Sequence, residues 1–191
     1  MIIELIGKLL WVIDIKKKNL IHRYLQKKYY NNIGKIGKCV QFNGISYLGS
    51  PENIEIGNNV HIGNNAYISA KGGLYIGDNT HISRNLILYT DNHNYEGKLL
   101  PYDNTFKLKK VIIEKNVWIG INVIILPGSH IEEGAIIGAG SIVRGTIPKN
   151  AIYGGSLGQV IKYRDFKHYD RLETTKQYGG INGNKIGEDC L

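Results

Sequence analysis

The run from Val111 to Val143 repeats itself every six residues. Written from Ile113 it reads IEKNVW, IGINVI, ILPGSH, IEEGAI, IGAGSI, which puts Ile113, Ile119, Ile125, Ile131, Ile137 and Val143 in one column. The fifth column holds Val117, Val123, Ser129, Ala135 and Ser141, all small or β-branched. An amphipathic helix returns an apolar residue every 3.6 positions and a strand every 2, so neither accounts for the pattern. A short strand, a tight turn and another short strand do, with three such units closing one triangular coil. The aliphatic column then fills the interior, and the Asn and Gly positions stand at corners where a positive φ is wanted.

The same register begins near Ile36 and resumes at Ile56 and Ile76, each 20 residues after the last, which is three sixes and a two-residue corner insertion. Between Ile113 and Ile131 the spacing is 18, so the later coils carry no insertion. From Leu88 to Ile113 the sixes stop, and the intervening stretch is expected to be an irregular loop over 89–110. So long an irregular segment in a compact domain is more often functional than idle.

The closing run Asn116–Pro148 (NVWIG, ILPG, IGAGS, IP) resembles the hexapeptide-repeat acyltransferases, of the maltose, galactoside and capsular-polysaccharide acetyltransferase kind. That resemblance implies an all-β fold, a left-handed parallel β-helix. The expected organisation is an N-terminal helical segment over 1–30, the β-helix with its loop over 33–155, and a C-terminal helix and tail over 156–191, where VIKYRDFKHYDRLETTKQY reads as the helix. The resemblance also implies a homotrimer with each active site in a groove between two subunits.

The family's general base is a histidine that follows an Ile-x-x-Asn-x-x-Leu segment, here Ile82 to Leu88, and that position is His93. An isolated loop histidine is usually no more than a partner for a nearby carbonyl, but the repeat and the loop favour catalysis. Moving an acetyl group from a thioester to a sugar hydroxyl requires the hydroxyl proton to leave as the oxygen attacks, and imidazole titrates near the working pH. Cys39 has no partner in sequence and Cys190 lies at the end of the chain, so direct attack is expected rather than an acyl-enzyme. Ser69, Asp91, Asn92, Asn94 and Tyr95 are the candidate acceptor contacts. The implied acyl donor is acetyl-CoA. Trp118 and Gly120 would border its pantetheine arm and Gly138 and Ala139 would let it approach closely. Arg144, Lys149, Lys162 and Arg164 are the cations for its phosphates. Here the chain has Arg144-Gly145 where relatives commonly have a Thr-Lys pair.

No metal is expected, although His61 and His81, 20 residues apart, and His93 raise a rival arrangement. The γ-class carbonic anhydrases use this fold with three histidines on zinc. An amino-sugar or xenobiotic N-acetyltransferase is the alternative within the transferase class.

Lys and Arg outnumber Asp and Glu by 24 to 16, which suggests an anionic partner. Without an aromatic-basic binding motif, nucleic acid is set aside in favour of coenzyme phosphates or an acidic membrane face. The opening MIIELIGKLLWVIDIKKK is too short and too interrupted by Glu4, Lys8 and Asp14 to span a bilayer, and lacks a secretory cleavage pattern. It reads as a helix with two uses: a cap or side packing for the coil, or a peripheral membrane anchor through residues 1–28. The two cysteines suggest neither a metal pair nor a disulfide framework, which fits a cytoplasmic protein, at the inner face of the membrane if the anchor is used.

Overall fold

The structure, a computed structural model, describes residues 2–98, 100–155, 159–163 and 165–179. Its body is a three-sided parallel solenoid. The first face stacks Lys35–Ile36, Ile54–Ile56, Leu74–Ile76, Val111–Ile113, His130–Ile131 and Thr146–Ile147. On the second face the strands are Gln41–Asn43, His61–Gly63, His81–Ile82, Trp118–Ile119, Ile136–Ile137 and Ala151–Gly154. Tyr47–Gly49, Tyr67–Ser69, Ile87–Tyr89, Ile124–Ile125 and Ile142–Val143 make the third.

The register is the sequence period made physical. Ile76 pairs with Ile113 and Ile113 with Ile131 on the first face. Ile82, Ile119 and Ile137 align on the second face, and Leu88, Ile125 and Val143 on the third. All of these side chains are buried, each contributing roughly 1.5–3 kcal/mol relative to an exposed one. The small fifth-column residues let the corners close: Ser129 and Ser141 are buried, and their hydroxyls donate to the carbonyls of Leu126 and Gly138 at 2.7 Å each. One interval differs from the eighteen, since Ile131 pairs with Ile147 and the last coil is two residues shorter.

The corners need left-handed backbone, and asparagine supplies it. Asn65, Asn85 and Asn122 have φ of 57°, 62° and 57°. Their amides form a ladder from Asn65 to Asn85 at 3.1 Å and from Asn85 to Asn122 at 2.8 Å, which helps to offset the strain of that conformation.

Helix α1 (Ile2–Asn32) runs straight through the basic segment. Its last turns seal the first coil: the Tyr29 ring lies 4.9 Å from Phe42, the Tyr29 hydroxyl donates to the Ser46 carbonyl at 2.5 Å, and Gln26 donates to the Phe42 carbonyl. Residues 2–21 are exposed throughout.

Three expectations need correction. The 89–110 segment is not irregular: Asp91–His93 and Phe106–Leu108 pair antiparallel as a hairpin arm, with His93 opposite Phe106. The C-terminal helix is shorter than expected, because Gln159–Tyr163 forms a strand antiparallel to Ala151–Gly154. That strand occupies the open edge of the second face, and α2 (Phe166–Thr174) begins only after Asp165 caps the His168 amide at 3.0 Å. Finally, Cys39 is disulfide-bonded, so the cysteines no longer speak for a reducing compartment. After α2 the chain turns back over the second face, where the Gly179 carbonyl accepts from Asn59 at 3.2 Å. Residue spacing along the sequence could not reveal that return; Cys190 lies outside the described residues.

Candidate active site

The arm leaves the solenoid where the third face turns into the first. Thr90 fixes its root: it is buried, its hydroxyl donates to the Ser69 carbonyl at 3.0 Å and accepts from the Gly72 amide at 2.8 Å. Three residues on, the His93 ring is half-buried between Tyr102, stacked at a centroid distance of 3.9 Å, and Phe106, tilted at 4.8 Å. Its Nδ1 is buried and has no hydrogen-bond partner among the described residues.

Because side chains alternate along a strand, Asp91 and His93 share one side of the arm and exposed Asn92 takes the other. Asp91 lies two residues from His93 in sequence. Its carboxylate is engaged elsewhere, accepting from the Ser69 hydroxyl at 2.6 Å and lying 3.7 Å from Lys71 Nζ. Lys71 also sits 3.6 Å above the Phe106 ring, so Ser69, Asp91, Lys71, Phe106, His93 and Tyr102 form one connected cluster. Lys71, Tyr102 and Phe106 were missed at the sequence level. Only the pairing of Phe106–Leu108 with the His93 strand brings them together, and three residues are too few to advertise a strand.

The remaining loop candidates serve the arm itself. The Asn94 amide nitrogen donates to Thr105 Oγ1 at 3.2 Å and its backbone N–H to the Thr105 carbonyl at 3.0 Å. Tyr95 is exposed with Lys107 Nζ 4.3 Å from its ring. Farther out, Asp103 accepts from the Thr105 hydroxyl at 2.5 Å and from the Lys98 amide at 2.8 Å, and the Thr105 hydroxyl foremost holds its carboxyl below the ordinary range.

The donor-side candidates fall at the other edge of the third face. Gly120, Gly138 and Ala139 form the corner between the second and third faces. A Cβ on Gly120 would meet the Ala139 nitrogen at 2.7 Å, so this glycine is required by the closeness of the two coils themselves. Trp118, 55% exposed, and Lys162, exposed, belong to the sheet leading into that corner. Arg144 is exposed at the corner on the arm's side of the third face. Lys149 stands between the first and second faces, where Glu133 holds its Nζ at 3.4 Å, which removes it from the group. Arg164 lies outside the described residues.

A concavity of about 620 Å³ opens on the second face under α2, lined in part by His61, His81, Trp118, Tyr169 and Glu173. The helix is tied down there by Asn116, which donates to the Tyr169 hydroxyl at 2.8 Å and to Glu173 at 2.5 Å, and by Lys115 on Glu173. The rings of His61 and His81 lie 4.4 Å apart. Burial first, then the His81 charge, lowers the His61 pKa to about 4; burial also lowers that of His81. His93 stands on the arm beyond the third face, so the three histidines do not converge and the zinc arrangement loses its geometry.

A parallel solenoid built on six-residue repeats defines a class, and comparison places the chain in it. Residues 110–145 match the profile described as bacterial transferase hexapeptide (six repeats), and residues 53–90 that of the hexapeptide repeat of succinyl-transferase. A maltose O-acetyltransferase structure from Clostridium difficile 630 is 30% identical with a TM-score of 0.66, over 73% of this chain and 74% of that one. The chain belongs to the hexapeptide-repeat transferase family. A galactoside acetyltransferase structure in complex with coenzyme A is 27% identical, with a TM-score of 0.66 over 85% of this chain and 77% of that one. Among curated relatives, the galactoside O-acetyltransferase of Lactococcus lactis subsp. lactis (strain IL1403) is 49% identical over 65 residues, 32% of this chain and 31% of the relative. An Escherichia coli (strain K12) protein provisionally named a lipopolysaccharide biosynthesis O-acetyl transferase is 39% identical over 72 residues, 38% of this chain and 36% of the relative. The matched part thus spans about a third of the length of these curated relatives.

Proposed function

We infer that the protein is an acetyl-CoA-dependent O-acetyltransferase acting on a sugar hydroxyl of a surface or capsular polysaccharide or its precursor. The observation that carries this reading is the His93 arm, a half-buried imidazole held between two rings on a solenoid whose relatives are named O-acetyltransferases. Bound acetyl-CoA supplies the activated acyl group. His93 takes the proton from the attacking acceptor hydroxyl and returns it to the departing sulfur. Ser69 and Asp91 are the polar members of the cluster offered to the acceptor, and their mutual hydrogen bond fixes where the carboxylate can meet a sugar hydroxyl. With Cys39 in a disulfide, none of the described thiols is available as a nucleophile, which supports direct attack.

The residues at the Gly120–Ala139 corner fit the donor. Exposed Trp118 offers a flat apolar surface to a pantetheine chain, the glycines and Ala139 leave bare backbone beside it, and Lys162 is free to meet a phosphate. This corner and the root of the His93 arm flank the third face from opposite edges, with a strand of three residues, roughly 10 Å long, between them. A second chain laying its donor corner against the His93 arm completes the site, in a homotrimer.

An N-acyltransferase reading is kept by one comparison, a Bacillus cereus N-acyltransferase structure 29% identical with a TM-score of 0.64. The test is thiol release from acetyl-CoA with hydroxyl- and amino-sugar glycans, comparing the native chain with His93→Ala. Release that depends on a hydroxyl acceptor and falls about 10²–10⁴-fold in the variant is expected. Undiminished release by His93→Ala sinks the mechanism, and release only with amine acceptors transfers the assignment to the second reading.

A further inference from the structure

Helix α1 carries two kinds of surface on one side. At 3.6 residues per turn, Leu5, Ile6, Leu9, Leu10 and Ile13 share one side of its first half, and Lys16, Lys17, Arg23, Lys27 and Lys28 continue that side to its end. Leu25, Gln26 and Tyr29, which dock on the solenoid, lie on the other side. So do the helix's two acids, Glu4 and Asp14, with Asp14 held by Lys18 at 2.6 Å. The outward side therefore runs from apolar to cationic without an acid. Its five apolar residues are between 52% and 72% exposed.

We propose that this outward side of α1 binds the surface of an anionic lipid membrane. The leucine and isoleucine half enters the boundary between headgroups and acyl chains, and the cationic half lies on the lipid phosphates. Among the described residues no helix is long and apolar enough to cross a bilayer, so α1 lies flat. Its docked side keeps the solenoid on the water side, and Tyr24, 66% exposed among the cations, is an amphipathic ring suited to the interface. Charge decides between occupants. Nucleic acid matches the lysines and leaves the leucines wet. A second copy aligned in parallel covers the leucines and sets five cations against five. An anionic bilayer answers both halves at once. This inference is independent of the acetyl-transfer reading, since it concerns binding alone.

The experiment is co-sedimentation of the full chain with phosphatidylcholine vesicles and with vesicles containing about one third phosphatidylserine, where at least ~10-fold stronger partition onto the anionic vesicles is expected. Raising the salt to about 0.5 M should weaken that preference several-fold. Lys16→Glu/Lys17→Glu/Lys27→Glu should abolish the preference, and Leu5→Asp/Leu9→Asp should lower binding to anionic vesicles at least ~10-fold. Lys8→Glu, a charge reversal on the docked side, should leave binding within about twofold. Equal partition onto both vesicle types overturns the proposal. A Lys8→Glu loss as large as that of the triple variant does so too, by reducing the effect to net charge. So does Leu5→Asp/Leu9→Asp binding like the native chain while lowering the oligomer mass in light scattering, which assigns the apolar half to a second copy.

Discussion

Replacing Phe106 by alanine tests whether the arm holds the imidazole. Phe106 sits opposite His93 in the hairpin, 4.8 Å from its ring, and the Lys71 ammonium lies 3.6 Å from the Phe106 ring centroid. A tilted aromatic pair is worth about 0.5–1.5 kcal/mol beyond area burial, and a partly exposed cation–π contact about 0.5–1 kcal/mol. Losing both releases roughly 1–2.5 kcal/mol of ordering from His93, which at about 1.4 kcal/mol per tenfold is a fall in kcat of about 5- to 60-fold. The solenoid core is untouched, because Phe106 is 38% exposed and lies outside it. The assay is acetyl transfer with Tm measured alongside: kcat should fall with Tm within about 2 °C of native, and Phe106→Tyr should recover most of the rate. A Phe106→Ala enzyme with kcat within twofold of native, or one whose loss of rate tracks a large fall in Tm, refutes the reasoning.

Ile125→Ala, at a fully buried rung of the third face, should cost about 2–5 kcal/mol and lower Tm by roughly 5–15 °C in calorimetry. Asn85→Ala breaks two rungs of the corner ladder at a residue with φ of 62°; urea unfolding should show a loss of about 1–2 kcal/mol, most of it recovered by Asn85→Gly. Because burial lowers the His61 pKa from 6.5 to about 4, the unfolded chain takes a proton that the folded one refuses in that window. Stability is therefore intact above about pH 6.5 and declines as pH falls towards about 4. His61→Gln should flatten that decline in pH-dependent urea titrations, and an unchanged decline assigns it to other groups.

The body of the fold was legible because a solenoid writes its contacts into the sequence. Ile113 and Ile131 touch because they occupy one column, and the asparagines mark the corners because few other side chains tolerate that backbone. What depended on long-range approach was not legible. Phe106 faces His93 only through a three-residue pairing, and Lys149 meets Glu133 across a corner. The strand at Gln159–Tyr163 had helical-looking polar spacing, yet the open edge of the second face recruited its backbone. The candidate base could be named from its position after Ile82–Leu88, but its ring partners could not. The helical segment expected over 1–30 matches α1, but its docking through Gln26 and Tyr29 onto the first coil was not legible, because it depends on contacts with residues 13 to 17 positions further on.

The account rests on His93 of one chain meeting the donor corner of another. Mixing His93→Ala chains with Ala139→Trp chains, the latter blocked at the exposed corner, tests it directly. After subunit exchange at equal ratio, roughly a quarter of the sites should pair an intact arm with an intact corner and regain transfer at native rate per site. Mixtures that show no more than the residual rate of the separate variants would contradict the account.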